Sequence, residues 1–343
     1  MIKFYDMQSI NYESIEDLCS ASDRIIRSGN YVFGTDKFEE EFADYNGNKN
    51  CIGVSSGTSA LHIALMALGI GPGDEVITVS HTFRATVSAI KYCNATPVFV
   101  DINPETYLID ANKIESKITS KTKAIIPVHL YGNVCDMDTI TKIASNYNLS
   151  IVEDCSQAHG SEYNGKKVGT FGQFGTFSFY PGKGLGALGD AGCIVTNDKD
   201  LADKAMQLRS WDDVSVGFNY RMSNLQAEFL RIKLKRYPDV LKQKIEIANY
   251  YNTAFNFCKT QPGVKHSYHI YPILVKDRQK IQNSIKEKVE TKVHYPIPVH
   301  RYSSFANGVS LPVTERIANT VLSLPIYPGV DAKTVVETLS KIL

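Results

Sequence analysis

From about residue 51 to residue 197, short apolar runs rich in β-branched residues alternate with segments of helical spacing. Residues 51–54, 75–79, 97–102, 124–129 and 150–153 read as strands, with helices over 58–68 and 82–92. Neighbouring parallel strands need a long crossover, usually a helix. The alternation therefore predicts an α/β fold, a mostly parallel sheet flanked by helices. In such sheets ligands bind beyond the carboxyl ends of the strands. Ser55, Ser56 and Gly57, the stretch from Ser80 to Phe83, and the stretch from Asp154 to Gln157 all fall at that edge.

The later part of the chain reads differently. Met222, Leu225, Phe229 and Ile232 give one apolar face to a helix beginning near Ser223. Pro238 is expected to break or kink it, with a second helix running to about Asn256. A smaller α+β unit follows: strand 268–275, helix 278–289, strand 291–295, then helices 314–323 and 332–342. The expected division is a large ligand-binding domain over 1–245 and a small C-terminal domain over 246–343.

Bulk properties exclude some classes. Charged residues make up 21% and hydrophobic ones 43% of the 343 residues, and the formal net charge is +1. Nothing in this balance points to a nucleic-acid or membrane surface. The N-terminus carries no apolar signal core and no apolar run is long enough to span a bilayer, so the cytoplasm is the expected compartment. The 7 cysteines are odd in number and form no C-x-x-C pair. They read as small buried hydrophobes in a reducing compartment, not as disulfides or a zinc site. His62, inside a predicted helix, reads as a core histidine.

One lysine stands out. Lys183 lies in Tyr180-Pro181-Gly182-Lys183-Gly184-Leu185-Gly186, a flexible turn between the apolar stretch around Phe177 and a strand over 193–197. No carboxylate sits beside it in sequence. A desolvated lysine loses its proton more easily and becomes a nucleophile toward carbonyls. That is the chemistry of a Schiff base with pyridoxal phosphate. Two other readings of the segment fail. The glycines from Gly184 to Gly189 spell G-x-G-x-x-G, but they run into a strand, not the helix that a dinucleotide fingerprint must open. A phosphate loop would need Gly at Phe177 and Ser or Thr at Gly184.

Pyridoxal phosphate also needs an anion for its ring nitrogen, a phosphate cradle and a stacking surface. Asp154, at a strand end, offers the anion; Gln157, three residues on, can reach the ring hydroxyl. Gly57 and Thr58, in Ser55-Ser56-Gly57-Thr58-Ser59 between a strand and a helix, offer exposed N–H groups to a phosphate. Ser178 can add a hydroxyl, and Phe83 can lie on the ring. Each has a plainer reading alone: a turn cap for Asp154, helix capping for the serines, core packing for Phe83.

With these segments in place, the chain resembles the DegT/DnrJ/EryC1/StrS sugar-nucleotide aminotransferases, which have the type I pyridoxal-phosphate transferase fold. The resemblance is carried by Val54-Ser55-Ser56-Gly57-Thr58-Ser59-Ala60-Leu61, His129-Leu130-Tyr131-Gly132, Glu153-Asp154-Cys155-Ser156-Gln157-Ala158-His159-Gly160, residues 177–192, Gly217-Phe218-Asn219-Tyr220-Arg221-Met222 and His294-Tyr295-Pro296. It covers nearly the whole chain.

The resemblance implies that Lys183 binds the cofactor and shuttles the proton. It implies that Asp154 meets the ring nitrogen, Gln157 the ring hydroxyl, and Gly57, Thr58 and Ser178 the phosphate, with Phe83 stacking. Asn219 would reach the cofactor phosphate of a neighbouring subunit, making a homodimer with interfacial active sites. The loop Pro181-Gly182-Lys183-Gly184-Leu185-Gly186-Ala187-Leu188-Gly189-Asp190-Ala191-Gly192 is similar to the branch that aminates carbon 3 of a keto-sugar. The implied reaction converts a nucleotide-linked, dTDP-type 3-keto-6-deoxyhexose to its 3-amino sugar, with glutamate as donor.

The alternatives are amination at carbon 4, a sugar dehydratase of the same fold, and a regulatory sensor. Lys183 speaks against the dehydratase, whose lysine is replaced by histidine in such relatives. Two positions depart from the family pattern: Gly184 stands where Asn is common, and the segment 209–216 is short. Arg221 and Arg301 are candidates for the substrate diphosphate, with a solvated surface arginine as the plainer reading of each.

Overall fold

The computed structural model describes residues 1–12, 14–211, 216–306 and 308–343. Its centre is a sheet of 7 strands. In chain order the strands are β1 (Asn50–Val54), β2 (Glu75–Val79), β3 (Thr96–Val100), β4 (Thr122–Ile125) and β5 (Ser150–Asp154). The short β6 (Glu162–Tyr163) and β7 (Lys166–Lys167) lie outside this sheet, which β8 (Phe174–Ser178) and β9 (Gly192–Thr196) complete. The spatial order is β1-β9-β8-β5-β4-β2-β3. All neighbouring pairs are parallel except those of β9, which runs antiparallel to β1 and β8. Helices on both faces leave the inner strands almost wholly buried, so they read as continuous apolar runs rather than alternating ones.

The one reversed strand places the key loop. Ser178 at the end of β8 faces Gly192 at the start of β9, and residues 179–191 bridge them. Lys183 is thereby carried to the carboxyl edge of β8. Asp154 ends the neighbouring β5, paired with Thr176, and the helix Gly57–Ala67 starts from the end of β1 at the same edge. Gly192 allows this closeness. A Cβ there would lie 2.4 Å from the carbonyl carbon of Ser56 and 2.7 Å from the nitrogen of Gly57.

The main core joins Phe42, Ile63, Val76, Ile125, Val152 and Phe177 with many other buried side chains. A second core gathers Ala248, Tyr251, Tyr271, Ile273, Leu322, Leu324, Val335 and Leu339. It is built around β11 (Tyr271–Leu274) and β12 (Val321–Leu324), which pair antiparallel; β10 (Val264–Lys265) instead pairs with β6. A single helix, Asn224–Tyr251, gives Leu230 and Leu234 to the first core and Ala248 and Tyr251 to the second.

Several element boundaries differ from the sequence reading. Pro238 sits inside the continuous helix Asn224–Tyr251 and does not end it. Buried Leu234, Tyr237 and Leu241 on either side of the proline make up in packing for the missing N–H. The predicted helix over 314–323 stops at Thr320; Val321–Leu324 is strand β12. Its β-branched start and its partner Tyr271–Leu274 override the helical spacing. Residues 291–295 form no strand, only an isolated bridge from Lys292 to Ser323. Among the described residues no helix is long and apolar enough to cross a membrane. All 7 cysteines are free, and 6 of them are buried.

Candidate active site

The turn before the helix Gly57–Ala67 is built to leave donors open. Ser56 caps the helix by accepting from the N–H of Ser59 at 3.1 Å, and its hydroxyl and that of Ser55 both meet the Ser59 hydroxyl, at 2.9 and 2.8 Å. The N–H groups of Gly57 and Thr58, in the first helical turn, find no acceptor among the described residues. Ser178 stands against this turn. A Cβ on Gly57 would lie 2.7 Å from the Cβ of Ser178 and 3.2 Å from Ser156 Oγ, so only glycine permits the approach. Two open N–H groups and a hydroxyl at a helix N-terminus form an anion cradle.

Asp154 is 5% exposed. Its Oδ2 accepts from the Thr86 hydroxyl at 2.8 Å and its Oδ1 from the Ser156 N–H at 3.1 Å. Both partners are neutral. A buried carboxylate held by neutral donors still lacks a countercharge, and a protonated ring nitrogen would supply one. Lys183 is the charge nearest in kind. Burial lowers its pKa to about 8, against the opposing pull of Asp154. The two form no hydrogen bond, and the Lys183 amine has no carboxylate within ion-pair distance among the described residues. The loop is pinned instead through its backbone: the Lys183 N–H donates to Tyr180, and Tyr5 donates its hydroxyl to the Lys183 carbonyl at 3.1 Å.

Gln157 is fixed at both ends. Its Oε1 accepts from the Tyr131 N–H at 2.8 Å and its Nε2 donates to the Tyr295 hydroxyl at 2.8 Å. Burial and the charge of Asp154 push the Tyr295 hydroxyl well above its ordinary pKa. Phe83 is no core residue. It is half exposed, tilted toward Tyr295 with ring centroids 5.9 Å apart. The structure thus brings Gly57, Thr58 and Ser178 to one corner of the sheet edge and sets Asp154, Gln157 and Phe83 beside one another through Thr86 and Tyr295. This donor set fits pyridoxal phosphate: an anion cradle, a buried uncompensated carboxylate, an unpaired amine and an exposed ring.

Asn219 is exposed and bonds to none of these residues in its own chain. Its neighbour Tyr220 accepts the Ser55 N–H at 2.7 Å, which ties this segment to the cradle turn. Of the short segment over 209–216, residues 212–215 lie outside the described residues. Gly184, the other departure from the family pattern, packs where a Cβ would lie 2.7 Å from the Tyr237 hydroxyl. That hydroxyl is buried and donates to the His159 carbonyl at 2.8 Å, so the larger side chain has no room. Arg221 lies over the ring of Trp211 at 5.1 Å, and Arg301 pairs with Glu315 at 2.8 Å.

Thr86, Tyr295, Tyr131 and Tyr5 escaped the sequence reading of the site. Each acts on a partner far away in the chain, and only Tyr131 and Tyr295 lie in segments that carry the resemblance. His129, Glu153 and Cys155 come within metal-ligand reach of one another. Glu153, however, is occupied: it accepts from the N–H groups of Gly169, Phe171 and Gly172 and meets His129 at 3.0 Å. It is a bracket between β5 and the turn before β8. His62 is likewise a core residue, its Nδ1 3.3 Å from the Tyr220 hydroxyl.

The chain is similar to known proteins over nearly its whole length. The chain is 43% identical over 360 residues to a dTDP-3-amino-3,6-dideoxy-alpha-D-galactopyranose transaminase of Aneurinibacillus thermoaerophilus, covering 99% of each protein. It is 36% identical over 354 residues to a UDP-2-acetamido-2-deoxy-3-oxo-D-glucuronate aminotransferase of Pseudomonas aeruginosa, covering 98% of each. Its fold superposes on the crystal structure of S. venezuelae DesV in complex with a ketimine intermediate, with a TM-score of 0.95, 36% identity and coverage of 99% of this chain and 98% of that one. The type I transferase fold, the pyridoxal phosphate cofactor and sugar-nucleotide aminotransferase activity follow. Residues 12–342 match the DegT/DnrJ/EryC1/StrS aminotransferase family, and the chain belongs to that family.

Proposed function

We propose that this aminotransferase moves the amino group of glutamate onto carbon 3 of a dTDP-linked 3-keto-6-deoxyhexose. The observation that carries the reading is Lys183: an amine with no ion-pair partner among the described residues, its pKa lowered by burial to about 8, carried by the loop after β8 to the sheet edge where Asp154 ends β5. Support for carbon 3 comes from the two relatives, whose names both place the nitrogen or the oxo group there although their nucleotides differ. The loop over 181–192 points the same way.

When bound, pyridoxal phosphate supplies the electron sink that lets an amino acid give up its α-proton. The residues of the chain do the rest. Gly57 and Thr58 hold the phosphate with their N–H groups and Ser178 with its hydroxyl. Asp154, held in place by Thr86 and the Ser156 N–H, would pair with a protonated ring nitrogen. Gln157, locked by Tyr131 and Tyr295, orients the ring hydroxyl, and Phe83 covers one ring face. Nζ of Lys183, neutral in a large fraction near pH 8, takes the α-proton of the donor and returns one to the product.

The exposed Asn219 completes the phosphate site of a second subunit, in a homodimer. Exposed Tyr31, Phe33 and Trp211 are apolar surface suited to such an interface. The large unit, residues 1–245, and the small one, 246–343, divide inside the helix Asn224–Tyr251. The test is an assay with separate 3-keto and 4-keto dTDP-sugars and glutamate as donor. Amino sugar formed from the 3-keto compound alone is expected; turnover of the 4-keto compound alone would replace carbon 3 by carbon 4.

A further inference from the structure

We propose that the cleft beside the Lys183 loop seats the nucleoside diphosphate of the substrate, and that Lys233 is its phosphate-binding cation. The proposal rests on the sugar-nucleotide aminotransferase activity described above. The cleft holds about 870 Å³, within the range of small-molecule sites. Lys183 and its glycine-rich turn form one wall, and the N-terminal residues Tyr5 and Gln8 another. Asp154 and Ser178 do not line it. The cleft is therefore space additional to the cofactor cradle, and Lys183 is the residue shared by both.

This placement suits the substrate. The diphosphate is attached to carbon 1 of the sugar, two bonds around the same ring from carbon 3, which receives the nitrogen. A diphosphate in the cleft would lie near Lys183 and clear of the cofactor's own phosphate cradle. The third wall is a face of the helix Asn224–Tyr251, on which Lys233, Arg236, Tyr237, Val240 and Gln243 recur at helical spacing.

Lys233 differs from the two arginines of this helix. Arg231 is held by Glu41 and by Glu228 at 2.6 Å, and Arg236 lies 3.6 Å from Asp17. Lys233 forms no hydrogen bond or ion pair among the described residues, although it is half-buried. Burial alone depresses its pKa, to about 8. An unpaired cation on the wall of a cleft is a standing cost that a bound dianion removes. Arg236, one turn along, adds a second positive group, and the amides of Gln8 and Gln243 add donors. Asp239 also lines the cleft but is exposed. Arg221 and Arg301, the arginines that the sequence suggested, are engaged with Trp211 and Glu315 instead.

The experiment is calorimetric titration of the full chain, loaded with pyridoxal phosphate, with dTDP and with UDP. Wild type, Lys233→Met and Lys233→Arg are compared, with unfolding midpoints measured to confirm that each is folded. The expected result is binding by wild type, a Kd weakened roughly tenfold or more in Lys233→Met, and substantial recovery in Lys233→Arg. Tight wild-type binding with the same Kd in Lys233→Met would overturn the assignment of the cleft and leave the enzymatic reading standing. Failure of wild type to bind either nucleoside diphosphate would overturn both.

Discussion

The form of Lys183 that attacks a carbonyl is the neutral amine, and its burial favours that form. Asp154 opposes the shift by attracting the proton. The sign of the pH dependence follows. In the cofactor-free protein the neutral fraction rises as pH passes through about 8, so the rate of pyridoxal phosphate capture should climb up to that point and level off above it. Asp154→Asn removes the opposing charge and should move the midpoint to lower pH, while weakening the hold on the cofactor. Stopped-flow absorbance of capture between pH 6 and pH 10 measures both; a midpoint that stays put in Asp154→Asn contradicts the coupling.

At this scale much of the candidate site was legible. Lys183, Asp154, Gln157, Gly57, Thr58 and Ser178 stand in turns at strand ends, where special residue types are conspicuous. Thr86 and Tyr295 were not legible as site residues. Their roles come from bonds to Asp154 and Gln157 that span the fold, and a threonine in a helix carries no mark of such a partner.

The helix Asn224–Tyr251 sets the energetic problem at the scale of the element. It buries Lys244 to 4% exposure with no acidic partner among the described residues, and desolvation lowers the lysine's pKa to about 7. Around it lie buried His159, both of whose ring nitrogens lack a partner among the described residues, and buried His266, whose Nε2 lacks one while its Nδ1 accepts the Tyr268 N–H. A lysine depressed in the folded state binds fewer protons there than when unfolded. Stability therefore rises with pH above about 7, and the full penalty, on the order of a few kcal/mol, applies below it. Lys244→Met should raise the unfolding midpoint, by more at pH 6.5 than at pH 9. Thermal unfolding at the two values checks this; equal gains at both would show that Lys244 is not charged in the way its burial implies.

The sequence did not reveal this helix as one piece. Pro238 is a local stop signal, and the packing that overrides it is tertiary. The same holds for β12. Val321–Leu324 continues a helical pattern in the sequence, and its pairing with Tyr271–Leu274 decides the outcome. The strands of the central sheet were far easier, because burial on both faces writes an uninterrupted apolar run into the chain.

For the whole molecule, the α/β class was readable from the strand and helix alternation, but the reversal of β9 was not. That reversal depends on the residue 179–191 loop turning back beside β8. In the proposed homodimer a second subunit would contribute at the cradle turn, which is joined to Tyr220 while the exposed Asn219 has no side-chain partner among the described residues. Asn219→Ala should lower activity roughly tenfold, the loss of one phosphate hydrogen bond. Lys183→Ala should abolish turnover. Mixed dimers of the two variants would contain one site with both native residues, so mixing under exchange conditions should restore activity above the level of either. No recovery, with hybrid dimers verified by mass, would contradict a site shared between subunits.

The most direct test of the central claim is the visible absorption spectrum of the purified protein, before and after glutamate. Wild type should show a yellow band that bleaches with glutamate and that is missing from Lys183→Ala. A colourless wild type that pyridoxal phosphate cannot reconstitute, or a Lys183→Ala protein with the same band and the same bleaching, would contradict it.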